Sequence, residues 1–437
     1  MKDIIYLDNN GTTHMTDDVK HALAVDIRGN ASSTGIYGER AHNIMEKCKN
    51  ITANHFNIDQ DRYQIVFTSG ASESNNSIIR STVTMHNKLH KLKDIPIVIS
   101  TLYEHKTTSE CLKNLEDLGE CKVIKLKPNE KGLIEPYDLE HMLKYLSHVG
   151  YMPRVCLVSI MHVNNEIGSK NAIYELGKLC KRFKVPFHSD ICQSMKFTHV
   201  NMDLVDAISA SYHKISGPKG SGLLIFNKRI FPNFMPLICG NQQDGYRGGT
   251  ENVNMIFASS VALLNTIHER ELKNLRLEIM RNEMIKIMSS YFDTYYYHEL
   301  EKYKDDLDLV KPYAIIFGPR NLSWRNPNTI YFAISGGKSE QMNKFNNDIV
   351  VKALNDRRII ISKGSTCNTR TLKPGGALKA INASECLMKR SFRISLGDEN
   401  LEYQEDTINA MHDICNTILN LIYASKNYHM YTFGKIV

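Results

Sequence analysis

Lys214 lies in the stretch Ser209-Ala210-Ser211-Tyr212-His213-Lys214, which runs on into the glycine-bearing turn Ile215-Ser216-Gly217-Pro218-Lys219-Gly220-Ser221-Gly222. A lysine that attacks a carbonyl must first lose its proton, and an apolar or cationic setting assists that loss. Taken alone, a lysine is a solvated surface group. Here a strand-like run ends just before it. A second run, Val185-Pro186-Phe187-His188-Ser189-Asp190, ends in a carboxylate 24 residues earlier. In an open α/β sheet the C-terminal ends of strands border the ligand crevice. A carboxylate there can keep a heterocyclic nitrogen protonated, although a helix cap is the plainer use of a single Asp. The third stretch, Phe67-Thr68-Ser69-Gly70-Ala71-Ser72-Glu73-Ser74-Asn75-Asn76, reads as strand, small-residue turn and helix start. Free N–H groups and the positive end of the helix dipole suit a phosphate there. An ordinary helix capped by Ser72 is the competing reading.

A fourth stretch carries sulfur. Cys367 lies in Lys363-Gly364-Ser365-Thr366-Cys367-Asn368-Thr369-Arg370, after the apolar run Ile359–Ser362 and shortly before Gly375 and Gly376. Most cysteines are inert small hydrophobes. A polar, glycine-flanked segment with Lys363 and Arg370 close in sequence favours the thiolate.

These residues need elements to hold them. Ile65–Phe67, Ile97–Ser100, Val123–Leu126, Val155–Ile160, Val185–His188, Ala207–Ala210 and Leu223–Phe226 read as strands, with helical segments such as Ile173–Phe183 between them. This alternation predicts an α/β domain with a mainly parallel sheet over residues 15–255. A helical period dominates from Asn254 to Tyr291 and leads into a smaller domain, 256–437, with strands at Thr329–Ile334, Ile359–Ser362 and Ser391–Ser395. The charged, proline-containing stretch 298–325 reads as a surface insertion.

Bulk properties narrow the function classes. The 437 residues are 42% hydrophobic and 23% charged, enough for a large core without disulfides. The net charge of +7 is spread thinly, with no dense Lys/Arg block, so no nucleic-acid binding is expected. None of the ten cysteines forms a CxxC pair, which argues against a structural metal site and for reduced thiols in a cytoplasmic protein. No apolar run is long enough to span a bilayer, and residues 1–8 carry no signal-like apolar region, so no membrane association is expected.

Further stretches complete a pattern: Tyr6-Leu7-Asp8-Asn9-Asn10-Gly11-Thr12-Thr13, Glu104-His105, Met161-His162-Val163-Asn164-Asn165-Glu166-Ile167-Gly168, Arg247-Gly248-Gly249-Thr250-Glu251-Asn252 and Arg393-Ile394-Ser395-Leu396-Gly397. Together with those above, and in this order along nearly the whole chain, they resemble the class V aminotransferase family of enzymes dependent on pyridoxal 5'-phosphate (PLP). Within it they resemble the NifS- and IscS-like cysteine desulfurases. The resemblance implies the PLP-dependent transferase fold type I: a large mainly parallel sheet domain with helices on both faces and a smaller α+β C-terminal domain. It implies that residues 1–14 pack with that smaller domain.

The resemblance also assigns roles. Lys214 is the Schiff-base lysine, Asp190 the partner of the pyridinium nitrogen, His105 the imidazole stacked on the ring and a catalytic candidate for proton shuttling, and Gln193 the donor to the ring hydroxyl. Ala71, Ser72, Ser211 and His213 match phosphate-binding positions. Thr250 matches a residue that reaches the phosphate of a neighbouring subunit, which implies a homodimer. Asn165 lies near cofactor and substrate, and Arg393 clamps the substrate carboxylate. The implied reaction converts L-cysteine to L-alanine: Lys214 removes the α-proton, and Cys367 takes the sulfur as a persulfide for an acceptor protein, in iron–sulfur cluster assembly or another pathway. A selenocysteine lyase or aminotransferase of the same family, or a non-catalytic partner with the same fold, are the alternatives. The chain departs from the family pattern at Gly11, at Asn30–Gly35, and in a tail, 427–437, that lacks the usual acidic, Trp-containing end.

Overall fold

The computed structural model describes residues 4–90, 95–267, 270–303, 311–336, 345–364 and 376–423. Fourteen strands are present among them: β1 (Ile5–Tyr6), β2 (Tyr63–Thr68), β3 (Ile97–Thr101), β4 (Lys122–Leu126), β5 (Val155–Ser159), β6 (Phe187–Asp190), β7 (Ala207–Ser211), β8 (Gly222–Asn227), β9 (Asp293–Tyr296), β10 (Pro312–Phe317), β11 (Thr329–Gly336), β12 (Ile359–Ile360), β13 (Ser362–Lys363) and β14 (Ser391–Ser395).

Seven of these form the large sheet, in the order β2-β8-β7-β6-β5-β3-β4. The four pairings from β7 through β6, β5 and β3 to β4 are parallel, and β8 runs antiparallel to both its neighbours. The apolar runs of these strands do not alternate with polar residues because both faces are covered. On β3, Ile97 and Ile99 join one apolar cluster with the helices Ile36–Phe56, Pro136–His148, Ile173–Phe183 and Val253–Asn265. Val98, between them, joins the cluster on the opposite face with the helices Ala71–Leu89 and Lys106–Asp117. The doubly covered, mainly parallel sheet is the one the sequence predicts.

One glycine sets the geometry where β2 hands over to a helix. A Cβ on Gly222, at the start of β8, would lie 2.3 Å from Gly70 Cα, so the Gly70 turn can press against β8 only if residue 222 has no side chain.

The smaller sheet has five strands in the order β13-β14-β11-β10-β9. It corrects the reading of residues 298–325 as a surface insertion. β10 lies inside that range, pairs antiparallel with β11 and parallel with β9, and all six of its residues are buried. Its side chains divide between two clusters: Ala314 and Ile316 face the core of the smaller sheet, while Tyr313, Ile315 and Phe317 face the core of the large one. The charged residues before it and Pro312 at its first position hide it in the sequence. A proline is tolerated there because the first residue of a strand need not donate. We expect Ile316→Ala, at a fully buried site, to lower the unfolding free energy by about 2–5 kcal/mol. Denaturant unfolding monitored by circular dichroism measures it; a change below about 0.5 kcal/mol, as at surface positions, would contradict this placement.

The period read from Asn254 to Tyr291 resolves into two helices, Val253–Asn265 and Arg270–Tyr291. The chain's start is tied to its far end. Ile5 and Tyr6 pair in parallel with Ile359 and Ile360, and Leu7 is buried in the cluster of the smaller sheet. No helix among the described residues is long and apolar enough to cross a membrane.

Candidate active site

β2, β6 and β7 end at the same edge of the large sheet, and β3 hands over to His105 there. A cleft of about 470 Å³ opens at this edge. Ten of the expected residues line it: Ala71, Ser72, His105, Asn165, Asp190, Gln193, Ser211, His213, Lys214 and Arg393. Thr250 is exposed and does not line this cleft. Cys367 lies outside the described residues.

One end of the cleft is built for an anion. Gly70, with φ +154°, turns the chain into the 19-residue helix Ala71–Leu89. The Ala71 N–H donates to Ser211 Oγ at 2.7 Å, which joins the helix start to the end of β7. His213 stands beside them with Nδ1 3.1 Å from Thr12 Oγ1. Burial pulls its pKa down to about 4, and the positive charges of Lys214 and Lys219 act in the same direction. Both effects favour the neutral imidazole.

The middle of the cleft holds a carboxylate and an amine. Asp190 is the last residue of β6 and is buried. Its Oδ2 accepts from Asn75 Nδ2 at 2.8 Å and its Oδ1 from the Cys192 N–H at 3.0 Å. Lys214 closes the short turn Tyr212–Lys214 after β7, and its Nζ donates to Asn10 O at 2.5 Å and Gly11 O at 2.6 Å. Gln193 Nε2 donates to the same Asn10 carbonyl at 3.0 Å. His105 caps the helix Lys106–Asp117 through its own ring, Nδ1 accepting from the Thr107 N–H at 3.3 Å. Burial lowers the His105 pKa; Asp190 opposes the shift and Lys214 adds to it.

The far end is cationic. Arg393, on β14, is almost fully buried. It donates from Nη1 to Asn165 O at 2.9 Å and from Nη2 to Asp8 Oδ1 at 2.6 Å and Ser362 Oγ at 3.3 Å. Its Nε is buried with no hydrogen-bond partner among the described residues. Beside it, burial pushes the Glu166 carboxyl up to about 7, the Arg393 charge pulling the other way.

Sequence reasoning missed several contributors. Asp8, Asn10 and Gly11 belong to a stretch that carries no assigned role in the sequence, and here all three line the cleft, Asn10 and Gly11 holding Lys214 and Asp8 holding Arg393. Asn75 lies in another such stretch, yet nothing in the sequence sets it beside Asp190. Thr107, Met161 and Cys192 also line the cleft. The signal for Thr107 was its position two residues after His105, at the start of a helix.

A family model described as aminotransferase class-V matches residues 5–304. The cysteine desulfurase IscS of Dictyoglomus turgidum is 31% identical over 428 residues, covering 96% of this chain and 97% of that protein. The mitochondrial cysteine desulfurase of Saccharomyces cerevisiae is 28% identical, covering 92% of this chain and 73% of that protein. The crystal structure of a NifS-like protein from Rickettsia africae superposes with a TM-score of 0.73 at 25% identity, covering 96% of this chain and 99% of that one.

Proposed function

The chain belongs to the class-V aminotransferase family, among whose cysteine desulfurases its relatives stand, and from that premise we propose that it converts L-cysteine to L-alanine with PLP held on Lys214 and sulfur passed to Cys367. The observation that carries the proposal is the meeting of Lys214, Asp190, His105, a glycine-led helix start and Arg393 around one cleft.

The donor set fits PLP. The Ala71–Ser72 helix start, Ser211 and His213 offer N–H, hydroxyl and imidazole groups to a phosphate. Asp190 offers a buried carboxylate to a ring nitrogen, and Lys214 offers an amine to an aldehyde. When bound, PLP supplies an electron sink for the α-carbon of the amino acid. The chain's own residues do the rest. Asp190 would keep the ring nitrogen protonated, and hydrogen bonds from Asn75 and Cys192 hold its carboxylate in place. Gln193 serves the ring hydroxyl and His105 the ring face. The Arg393 fork holds the α-carboxylate, and Lys214 takes the α-proton. The Cys367 thiolate would then attack the substrate sulfur: an S–S bond forms and the C–S bond breaks, its electron pair staying with the substrate carbon skeleton, which takes protons at the β- and α-carbons to leave as alanine, and Cys367 carries a persulfide for an acceptor protein.

Thr250 of a second copy would complete the phosphate site, making the working unit a homodimer. We divide the chain into the segment 1–14, a cofactor domain over 15–255 and a smaller domain over 256–437; the burial of Leu7 with the smaller sheet's core supports the first of these.

Incubation of the holoprotein with L-cysteine and a reductant tests the reading. Alanine and sulfide should appear in equal amounts, with the mass of one added sulfur on the peptide containing Cys367. Pyruvate, or no product, would refute it. The carboxylate clamp makes a separate prediction. Arg393→Lys replaces a planar fork by a single ammonium, so KM for L-cysteine should rise about 10–100-fold, as when a charge-assisted hydrogen bond is lost. Steady-state kinetics showing an unchanged KM would remove Arg393 from this role.

A further inference from the structure

Asp190 and His105 reach the cleft from different elements and are joined beneath it. Asn75, fully buried on the Ala71–Leu89 helix, places Nδ2 2.8 Å from Asp190 Oδ2 and 3.1 Å from Thr107 Oγ1. Thr107 Oγ1 is in turn 3.0 Å from His105 Nδ1, and the Thr107 amide nitrogen is 3.3 Å from the same ring atom.

Counting protons fixes the direction of every bond in this chain. A carboxylate only accepts, so Asn75 must turn its NH₂ toward Asp190; the reverse orientation would press Oδ1 against a negative charge. The second N–H of that group then falls on Thr107 Oγ1. Having accepted there, the threonine hydroxyl has its own proton for His105 Nδ1. The Thr107 backbone N–H, which can only donate, makes the same demand on that nitrogen. A ring nitrogen that accepts is bare, and a neutral imidazole with a bare Nδ1 carries its proton on Nε2. Burial acts in the same direction by disfavouring the imidazolium.

We propose that Asn75 and Thr107 are positioning residues that fix His105 as the neutral Nε2–H tautomer and tie that tautomer to the ionised state of Asp190. The inference rests on the cofactor reading above and deepens it. His105 then meets ring and substrate as a hydrogen-bond donor, and removal of the α-proton is left to Lys214. The coupling runs in both directions. A protonated Asp190 would need an acceptor from Asn75, and Asn75 Oδ1, buried with no partner among the described residues, is the atom able to supply it. That rotation would take the donor away from Thr107 and loosen the hold on His105.

The test is nitrogen NMR of ¹⁵N-histidine-labelled protein, with His105 assigned by its loss in His105→Gln. The wild type should show a bare Nδ1 and a protonated Nε2. Thr107→Val should mix the tautomers and make the imidazole easier to protonate. Its kcat/KM should therefore fall about tenfold on the acid side of neutrality and recover as the pH rises. Thr107→Ser should restore both properties. A general packing defect would depress activity equally at every pH. A protonated Nδ1 in the wild type, or a Thr107→Val protein with wild-type tautomer and pH profile, would overturn the proposal. The cofactor reading fails separately, through absence of a visible PLP band in the wild type, and the histidine spectrum decides the tautomer even then.

Discussion

Lys214→Ala should leave a folded protein that lacks the visible band of lysine-bound PLP and turns over L-cysteine at least about 10³-fold more slowly. The Lys214 amine is held from below by the carbonyls of Asn10 and Gly11, so it sits at one point of the cleft rather than sweeping through it. Two tasks fall to that amine: anchoring the cofactor and moving the α-proton. Alanine can do neither. The fold should survive, because Lys214 is only partly buried and belongs to none of the three apolar clusters. Absorbance, circular dichroism and alanine production together check this outcome. A variant that keeps both the band and the turnover would show that another amine is the anchor.

Cys367→Ser should keep the PLP band and lose sulfide production, again by about 10³-fold or more, because a serine hydroxyl is not ionised at neutral pH and makes no persulfide. The cysteine that does line the described cleft is a poor substitute. Burial pushes the Cys192 thiol well above its ordinary range, and Asp190 beside it pushes the same way. The thiolate, the form that attacks sulfur, is thus disfavoured at Cys192. Cys239 and Cys386 are exposed but do not line the cleft. Peptide mapping after a single turnover should therefore find the added sulfur on Cys367 in the wild type and on no cysteine in Cys367→Ser. Added sulfur on Cys192 would overturn the assignment.

The sequence exposed the site better than the scaffold around it. Asp190, Lys214 and the Gly70 turn stand where strands end, and strand ends can be read from apolar runs and the small residues after them. These residues, and the others that the family resemblance implies, line one cleft, Thr250 and Cys367 excepted. β10 was illegible for a local reason: six buried residues follow a charged stretch and open on proline, so composition pointed to the surface while tertiary packing decided otherwise. Asn75 and Thr107 were illegible for a geometric one. They touch across 32 positions in sequence, and Asn75 meets Asp190 across 115. A side-chain amide carries no periodicity that would announce such a partner. Asp8 was visible as part of a motif, but its pairing with Arg393 spans 385 positions and appears only when β14 is set beside the chain's start.

That long span has a consequence for how the molecule is made. The turn that cradles Lys214 is fixed by Asn9, whose Nδ2 donates to Ser395 O across 386 positions, and by β1 lying along β12. Residues 5–11 leave the ribosome before nearly all the rest; Asn10 and Gly11 find Gln193 and Lys214 in the large domain, but Asn9 and β1 have no partner in Ser395 and β12 until the smaller sheet has been synthesised. Closing so wide a loop is slow compared with assembling the neighbouring strands and helices of the large sheet. The earliest part of the site to be translated is thus fully seated only once its most distant partners, Ser395 and β12, are in place.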